Sequence, residues 1–363
     1  MDTGICREHE LFSYKPYELD SNLKGKLLLS RLNDLTRNSY DHCEEYRRLI
    51  SLLFPEGRSA GNLAEVPFLP VSLFKTKKLC NVPEDQIIKR MTSSGTTGQQ
   101  VSQIFLDKAT ANNQQKILVK IVSDFTGNAR MPMIILDCPS VIRDRRMFSA
   151  RGAGILGFSI FARKKIFAFD NQMNLDIEGI REFLAQYEGQ TVFLFGFTFM
   201  IWEYFYKVLK HSGEKLPLEH AVLIHGGGWK KLESEAVSKE EFKRSLQDVC
   251  GINRVHDYYG MVEQTGCVYM ECEYGHLHVS AYSDVLIRNM RDFSLCETGQ
   301  EGVIQVLSAI PESYPGHSLL TEDVGCILGE DDCPCGRKGK YIEVHGRMKN
   351  AEIRGCSDTF ERK

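Results

Sequence analysis

A loop rich in hydroxyl residues and glycine lies about a quarter of the way along the chain. Residues 91–100 are Met-Thr-Ser-Ser-Gly-Thr-Thr-Gly-Gln-Gln. Such a loop can bring backbone N–H groups and hydroxyls close to a polyphosphate, because glycine has no Cβ to obstruct the approach. It is not a Walker loop, since the Gly-Lys-Ser/Thr ending is absent. The alternative is a polar surface turn, because clusters of this composition often connect regular elements.

Two further segments combine glycine with residues that could bind a nucleotide. Residues 225–231 are His-Gly-Gly-Gly-Trp-Lys-Lys, and residues 257–263 are Asp-Tyr-Tyr-Gly-Met-Val-Glu. Consecutive glycines let a flat ligand lie against bare backbone, a tyrosine ring can stack on a purine, and a carboxylate can hold Mg²⁺ that bridges phosphates. The alternatives are a flexible turn with solvated lysines, and a core tyrosine with a surface glutamate.

The elements that would position these segments follow from the spacing of apolar residues. Strands are predicted at 101–106, 133–136, 166–169, 191–195, 221–225 and 254–259, and helices at 110–125, 177–187, 197–210 and 240–249. This alternation predicts an α/β fold with a mainly parallel sheet and helices on both faces. In open α/β sheets ligands bind at the carboxyl ends of the strands, which is where the two glycine-containing segments fall.

The predicted organisation has four parts. One or two amphipathic helices are expected between residues 22 and 54, and residues 67–75 are expected to be extended because of their prolines. Beyond residue 265, short strands at 268–270, 285–288, 302–307, 319–328 and 341–344 predict an antiparallel, β-rich module. We therefore divide the chain into a helical segment (1–66), an α/β core (67–265), a β-rich module (266–345) and a tail (346–363).

Composition excludes several classes of protein. The 363 residues are 42% hydrophobic and 26% charged, as in ordinary globular proteins, and the net charge of −3 without a long basic run argues against nucleic-acid binding. The N-terminus does not resemble a signal peptide, and no stretch is apolar enough for a membrane span. A cytoplasmic location is expected, where the twelve cysteines would be reduced or bind metal.

Two later segments complete a recognisable series of motifs. Thr-Glu-Asp occupies residues 321–323 and His-Gly-Arg-Met-Lys-Asn occupies 345–350. With the hydroxyl loop, the Gly-Gly-Gly run and Tyr-Gly-x-x-Glu, this order resembles the adenylate-forming enzymes, the superfamily of acyl- and aryl-CoA synthetases, over residues 67–356. Val262 stands where most of these enzymes have a Thr or Ser that contacts the α-phosphate or the substrate carboxylate.

The resemblance implies a role for each motif in binding ATP and Mg²⁺. The phosphates would contact the hydroxyl loop, the adenine would lie along the glycine run and stack on the tyrosine, Glu263 would bind Mg²⁺, and the last two motifs would contact the ribose. The implied nucleotide residues are Ser93, Ser94, Gly95, Thr96, Thr97, Gly98, Gly226, Gly227, Gly228, Tyr259, Gly260, Asp323 and Arg347.

Two departures from the superfamily narrow the resemblance. The Pro-Lys that commonly follows the phosphate loop is replaced by Gln99-Gln100, and the chain stops at Lys363, whereas the usual enzymes continue into a C-terminal domain with a catalytic lysine. With the segments at 67–75, 195–198 and 227–231, this is similar to the acyl-protein synthetases of the bacterial luciferase operon. Members of that family activate a fatty acid as acyl-AMP, move the acyl group to a cysteine near their C-terminus, and pass it to a partner reductase.

The acceptor cysteine implied by this resemblance is Cys356. Neighbouring cations would favour its thiolate, the competent nucleophile; an incidental thiol in a frayed tail is the alternative. Lys230 and Lys231 are our candidates for the cation that the missing domain would supply at the α-phosphate. Direct transfer to CoA or to a carrier protein, and a non-catalytic nucleotide-binding protein, are the competing hypotheses.

An apolar segment after a buried strand is the candidate acyl site. Gly196, Phe197 and Thr198 belong to it, with the glycine expected to leave room for a chain and the aromatics to form apolar walls. Aromatic residues at helical spacing are also typical of a core, so the length and type of the acid stay undetermined.

Cysteines and histidines near the C-terminus fit a zinc site. Cys-Pro-Cys-Gly occupies residues 333–336, and Glu-Cys-Glu-Tyr-Gly-His-Leu-His occupies 271–278. A Cys-x-Cys pair with a Cys and a His from another strand matches a structural Cys₃His site for Zn²⁺. Similarity to segments of phenylacetate-CoA ligases supports the set Cys272, His278, Cys333 and Cys335. The spacing leaves His276 or Cys267 open as the fourth ligand, and reduced side chains in a β-core are the alternative.

Overall fold

The computed structural model describes residues 9–55, 59–93, 100–142 and 150–348. Its strands are β1 (Leu69–Pro70), β2 (Lys89–Thr92), β3 (Gln103–Leu106), β4 (Met131–Leu136), β5 (Ala162–Phe167), β6 (Val192–Phe197), β7 (Ala221–Gly226), β8 (Arg254–Tyr259), β9 (Tyr269–Glu271), β10 (Leu277–His278), β11 (Ser283–Arg288), β12 (Gly302–Ser308), β13 (Ser318–Glu330) and β14 (Lys340–Arg347). Each strand predicted from the sequence overlaps one of these.

The helices also follow the predicted alternation. They are α1 (Ser21–His42), α2 (Glu44–Leu53), α3 (Leu73–Thr76), α4 (Lys108–Thr126), α5 (Ala150–Phe158), α6 (Ile177–Ala185), α7 (Thr198–Met200), α8 (Lys207–Ser212) and α9 (Lys239–Cys250), with a π-helical turn (Ile201–Tyr206) joining α7 to α8. Two short 3₁₀ turns, at Lys230–Glu235 and Val262–Gln264, carry residues of the candidate nucleotide site. Within the described residues, no helix combines the length and apolarity needed to cross a bilayer.

One large sheet carries most of the strands, and it confirms the predicted α/β class. Strands β5, β4, β6, β7 and β8 pair in parallel in that order, so their carboxyl ends lie at one edge. From β8 the sheet continues through β9, β10, β14, β13, β12 and β11 with antiparallel pairing, and β1 adds in parallel to β13. The predicted β-rich module therefore extends the parallel sheet; hydrogen bonding continues across residue 265 from β8 to β9.

The expectation of an extended segment at residues 67–75 is wrong in its second half. The first part forms β1, but a helical turn, α3, begins at Leu73. A proline restricts the residue before it and leaves the following residues free to adopt helical geometry, so Pro70 acts on Leu69 alone.

Buried side chains form two hydrophobic clusters that meet near the candidate site. The first includes residues of α4, β6 and β7, such as Ile121, Phe193 and Leu223, and the second includes residues of β3, β12 and β13. Successive residues of a strand point to opposite faces of the sheet. At the end of β8, Tyr258 packs against the first cluster and Tyr259 against the second, so the strand end is fixed from both sides.

Candidate functional site

The end of β7 approaches the end of β8 unusually closely. Gly226 pairs with Tyr258, and a Cβ at residue 226 would lie 2.7 Å from Tyr258 Cε1 and 2.8 Å from the Tyr258 carbonyl oxygen. Gly227 and Gly228 follow with φ values of 86° and 64°, in the left-handed region that favours glycine. The Gly-Gly-Gly run therefore has a local structural reason: close packing at its first residue and a tight turn at the next two.

Tyr259, Asp323 and Arg347 lie together although they are far apart in sequence. The Tyr259 hydroxyl donates to Asp323 Oδ2 at 2.7 Å, and Arg347 Nε lies 3.5 Å from Asp323 Oδ1. The antiparallel pairing of β13 with β14 sets Asp323 opposite Arg347. Burial raises the pKa of Asp323, while the Tyr259 hydroxyl and the Arg347 charge oppose that effect. Three of the predicted nucleotide-binding residues thus form one hydrogen-bonded group.

Glu263 lies beside the base of the hydroxyl loop. Ser93 and Ser102 close the β2–β3 hairpin, with Ser93 N donating to Ser102 O at 3.1 Å and Ser102 N donating to Ser93 Oγ at 2.9 Å. Burial raises the pKa of Glu263, and the Ser102 hydroxyl and the positive charges of Lys75 and Arg347 act in the opposite direction. The short 3₁₀ turn after β8 thus brings a buried carboxyl group to the base of the predicted phosphate loop.

Several predicted site residues fall outside the described part of the chain. These are Ser94, Gly95, Thr96, Thr97, Gly98 and Cys356. For Lys230 and Lys231 the backbone is described, and it begins the 3₁₀ turn that follows Gly228, but their side chains are not. Gly260 is exposed, and a Cβ added at this position would make only ordinary contacts with Val268 and Tyr258.

The proposed acyl-site residues lie at the end of β6, in a tightly packed region. A Cβ on Gly196 would lie 2.8 Å from Leu136 Cβ and 3.1 Å from Ile201 Cγ1, so these side chains occupy the space beside the glycine. Phe197 is buried, and Thr198 donates to the Gly226 carbonyl oxygen at 3.2 Å. Gly196 accordingly serves close packing, and Thr198 ties the end of β6 to the end of β7.

Sequence reasoning missed a buried ion pair at the same edge of the sheet. Asp137 follows β4 directly, and Arg151 from α5 donates to both of its carboxylate oxygens, with the Nε contact at 2.6 Å. Both side chains are nearly inaccessible to solvent. Asp137 could have been found with the same rule that selected the other strand ends, since it is a charged residue just after an apolar strand.

A second group that the sequence did not suggest lies behind the glycine run. His225 Nδ1 is 2.9 Å from Thr198 Oγ1 and 3.7 Å from Asp257 Oδ1, and burial lowers the pKa of His225 to about 3. Burial, together with the charge of Glu271, raises the pKa of Asp257 to about 7. Lys243 from α9 lies 2.8 Å from Glu271 Oε2. These side-chain contacts connect β7, β8 and β9 behind the site.

The four cysteine and histidine residues selected as zinc ligands come together. The ligand atoms of Cys272, His278, Cys333 and Cys335 all lie within 4.8 Å of one another. Cys335 Sγ is 3.2 Å from His278 Nε2, and Cys272 Sγ is 4.0 Å from Cys333 Sγ. Burial lowers the pKa of His278 to about 4, so its imidazole is neutral near pH 7. The β9–β10 and β10–β14 pairings bring the two halves of the cluster together.

Cys267 and His276, the other two candidates for the fourth zinc ligand, lie in different surroundings. Cys267 is buried with its Sγ 3.3 Å from Ser308 Oγ and is not part of the cluster. His276 Nδ1 lies 3.3 Å from Cys333 Sγ, at the side of the cluster, and its ring stacks on Tyr341. Neither Cys267 nor His276 belongs to the group of described residues whose ligand atoms lie within 4.8 Å of one another here. That group consists of Cys272, His278, Cys333 and Cys335.

Comparisons with known proteins agree with the resemblance inferred from the motifs. A family model described as "Acyl-protein synthetase, LuxE" matches residues 5–363. A long-chain-fatty-acid–luciferin-component ligase from Aliivibrio fischeri is 23% identical over 355 residues, covering 96% of this chain and 91% of the relative. The protein with the same name from Vibrio harveyi is 22% identical over 340 residues, covering 92% and 87%.

Solved structures identify the fold. An open conformation of 2-hydroxyisobutyryl-CoA ligase, in complex with 2-HIB-AMP and CoA, matches with a TM-score of 0.70 and 15% identity, covering 92% of this chain and 72% of the ligase. The same ligase in the postadenylation state with 2-HIB-AMP also gives 0.70, with coverage of 92% and 69%. At this identity the likeness concerns the fold of adenylate-forming ligases. Because the family match spans nearly the whole chain, the protein belongs to the acyl-protein synthetase (LuxE) family and is an enzyme of the ligase class.

Proposed function

We propose that the protein uses ATP to convert a long-chain fatty acid into an acyl-adenylate, transfers the acyl group to its own Cys356, and delivers it to a reductase-type partner protein. The observation that carries the proposal is the convergence of Tyr259, Asp323, Arg347 and Glu263 beside the base of the hydroxyl loop. The fatty acid is favoured because both relatives are named as ligases of long-chain fatty acids.

The reaction has two chemical steps on this chain. In the first, a carboxylate oxygen of the acid attacks the α-phosphorus of ATP, and the bond to pyrophosphate breaks. In the second, the Cys356 thiolate attacks the acyl carbonyl carbon, AMP leaves, and a thioester forms. The partner would then take the acyl group from this thioester.

Different residues of the site would contact the adenine, the ribose and the phosphates of ATP. Tyr259 and the glycine run would contact the adenine, Asp323 and Arg347 the ribose, and residues 93–98 the phosphates. Glu263 fits a Mg²⁺ ligand, because it is a carboxyl group beside the loop base, and the ion would supply positive charge to the phosphates.

Lys230 and Lys231 are the candidates for the cation at the α-phosphate. Their position just after the Gly227–Gly228 turn, at the carboxyl end of β7, supports this role. We expect Lys230→Ala or Lys231→Ala to lose acyl-AMP formation, with Lys164→Ala on exposed β5 as the matched control. Wild-type rates in both test variants would contradict the assignment.

Pyrophosphate release and protein labelling together test the main proposal. Purified protein is incubated with ATP and a panel of radiolabelled saturated fatty acids. We expect acid-dependent pyrophosphate release and label retained on the protein, with Cys356→Ser keeping the release and losing the label. Cys296→Ser, which removes a half-buried thiol elsewhere, should behave as the wild type.

Two results would contradict the proposal. Absence of pyrophosphate release with every acid would remove the adenylation step. Full turnover of Cys356→Ser with added CoA, and no labelled protein in the wild type, would replace the Cys356 step by direct transfer to CoA or a carrier protein.

A structural Zn²⁺ held by Cys272, His278, Cys333 and Cys335 is a separate part of the proposal. Three thiols and one imidazole are the donors that this ion prefers. A regular tetrahedron with ordinary Zn–S and Zn–N bonds puts sulfurs about 3.8 Å apart and a sulfur about 3.6 Å from a nitrogen. The separations of 4.0 Å and 3.2 Å lie within a few tenths of these values.

Metal analysis after dialysis against a weak chelator tests the zinc site. We expect about one equivalent of zinc per chain, lost in Cys333→Ser and kept in Cys267→Ser. Protein without zinc, or zinc that survives in Cys333→Ser and disappears in Cys267→Ser, would contradict this ligand set.

The cysteines also favour the cytoplasm as the location. None of the ten cysteines among the described residues is in a disulfide. Thiols persist in a reducing compartment, so we retain the cytoplasm as the proposed location.

A further inference from the structure

A second group of metal-type donors lies on the antiparallel part of the sheet. It consists of Cys326 on β13 and Glu343 and His345 on β14, whose donor atoms all lie within 4.8 Å of one another. Cys326 pairs directly with Glu343 across the two strands, and His345 follows two residues later on the same strand. Neither the nucleotide residues nor the four-ligand cluster includes any of these side chains.

A neighbouring carboxylate fixes the orientation of the histidine. Glu301 Oε2 lies 2.6 Å from His345 Nδ1, so the Nδ1–H donates to this carboxylate. The other ring nitrogen, Nε2, lies 3.8 Å from Cys326 Sγ and 3.5 Å from Glu343 Oε2, so in the neutral imidazole the nitrogen with the lone pair faces both groups. Histidines that bind metals usually have this arrangement, with a carboxylate or carbonyl on the nitrogen opposite the metal.

The separations match those of a bound ion. In a tetrahedral zinc site a thiolate sulfur and an imidazole nitrogen are about 3.6 Å apart, and an imidazole nitrogen and a carboxylate oxygen about 3.3 Å. The distances here are 3.8 Å and 3.5 Å, so shifts of a few tenths of an ångström would form the site. A protonated histidine bridging two glutamates would explain the carboxylates, but its Nε2–H could not accept a hydrogen bond from the Cys326 thiol.

We propose that Cys326, Glu343 and His345 form a second, open binding site for Zn²⁺ or a divalent cation of similar softness, with Glu301 as the positioning residue. A thiolate, an imidazole and one carboxylate select borderline cations over Mg²⁺ and Ca²⁺. On binding, the Cys326 thiol releases its proton to solvent as the sulfur–metal bond forms. With three protein ligands the fourth position belongs to water, as in zinc sites that keep an open coordination position.

Accessibility and position support an exchangeable site. The side chains of His345 and Glu343 are 34% and 49% exposed, whereas Cys326 is buried beneath them. Arg347 is the last residue of the same strand, so a bound cation would stiffen the strand end that carries it. The inference does not depend on the proposed acyl transfer, because it concerns metal binding alone.

Cobalt titration of the full-length protein as purified, without chelator treatment, tests the site. Co²⁺ bound to a thiolate gives a charge-transfer absorption band, and loss of the band in Cys326→Ser would assign it to Cys326. We expect one equivalent in the wild type and no band in Cys326→Ser. The Cys296→Ser variant, which removes a thiol 3.7 Å from the Glu301 carbonyl oxygen, is the matched control and should keep the band.

Variants at exposed ligands keep the test valid if Cys326→Ser folds poorly. His345→Asn should weaken Co²⁺ binding at least tenfold, and Glu301→Gln should weaken it by roughly 10-fold or more, as loss of an orienting partner does. Circular dichroism checks that each variant is folded. A wild type without the band, or a band that Cys326→Ser and His345→Asn both retain, would overturn the proposal.

Discussion

The contact between Gly226 and Tyr258 gives the most direct test of how the site is built. In Gly226→Ala the new Cβ would lie 2.7 Å from Tyr258 Cε1 and 2.8 Å from the Tyr258 carbonyl oxygen. The ring can rotate away, but the carbonyl belongs to the backbone of β8 and moves only with the strand. Overpacking of this kind costs about 1–3 kcal/mol, and we expect the free energy of unfolding to fall by that amount.

The same substitution should also impair use of ATP. Displacing the end of β8 moves Tyr259 away from Asp323, to which its hydroxyl donates at 2.7 Å. We therefore expect a higher KM for ATP in pyrophosphate exchange, measured beside urea unfolding. If Gly226 matters only by lying under the adenine, ATP binding would change and unfolding would not.

A matched glycine provides the control. Gly25 lies within α1, and no atom lies within 4 Å of the position that its Cβ would take. Gly25→Ala should raise the free energy of unfolding by roughly 0.5–1 kcal/mol through helix propensity and leave the KM unchanged. The reasoning is refuted if the free energy of unfolding of Gly226→Ala lies within about 0.5 kcal/mol of the wild-type value and the KM for ATP is unchanged.

Three further predictions concern stability. Arg151→Met should lower the free energy of unfolding by about 3–5 kcal/mol, because it leaves Asp137 buried and unpaired; a loss under about 1 kcal/mol in urea unfolding would contradict this. The folded protein raises the pKa of Asp257 to about 7, so between about pH 4 and 7 the unfolded chain ionises first and the wild type should lose stability as pH rises. The free energy of unfolding of Asp257→Asn should therefore be higher than that of the wild type by about 1–2 kcal/mol at about pH 8 but not at about pH 4. Equal differences at both pH values would exclude this titration. Asp20→Ala removes the N-cap of α1 and should cost about 1 kcal/mol, so an unchanged melting temperature would show that the cap is unimportant.

Much of the fold was predictable because the central strands are continuous apolar runs. Residues 221–226 and 192–197 are buried along their whole length, and that pattern is visible in the sequence. The order of the strands in the sheet was not predictable, since hydrophobic periodicity gives no information about which strands pair. The short strand β10 joins β9 to β14, yet its two residues, Leu277 and His278, are too few to give a periodic signal.

The sequence also does not show which side chains of the candidate site contact one another. The motif series selected Asp323 and Tyr259 separately, and their hydrogen bond depends on how the sheet brings together β8 and β13, which are separated by β9, β10 and β14. Arg151 could not be assigned from sequence, because its glycine-rich surroundings gave no sign that the segment is a helix facing Asp137. The close packing beside Gly196 was also hidden, since a glycine that leaves room and one that permits close packing look alike in a sequence; its role in the acyl site stays a prediction. The division into four parts and the functional roles of all the predicted site residues, described or not, stay predictions.

The pairing of β1 with β13 affects how the chain can fold during its synthesis. Leu69 lies beside Leu319, so about 250 residues must be made before this pair of strands can form. At the usual rate of elongation that takes roughly 10–50 s, during which the N-terminal helices emerge without the strands they later cover. Folding should therefore finish only when the last strands leave the ribosome, and premature termination before β13 should yield a product that chaperones retain or proteases remove.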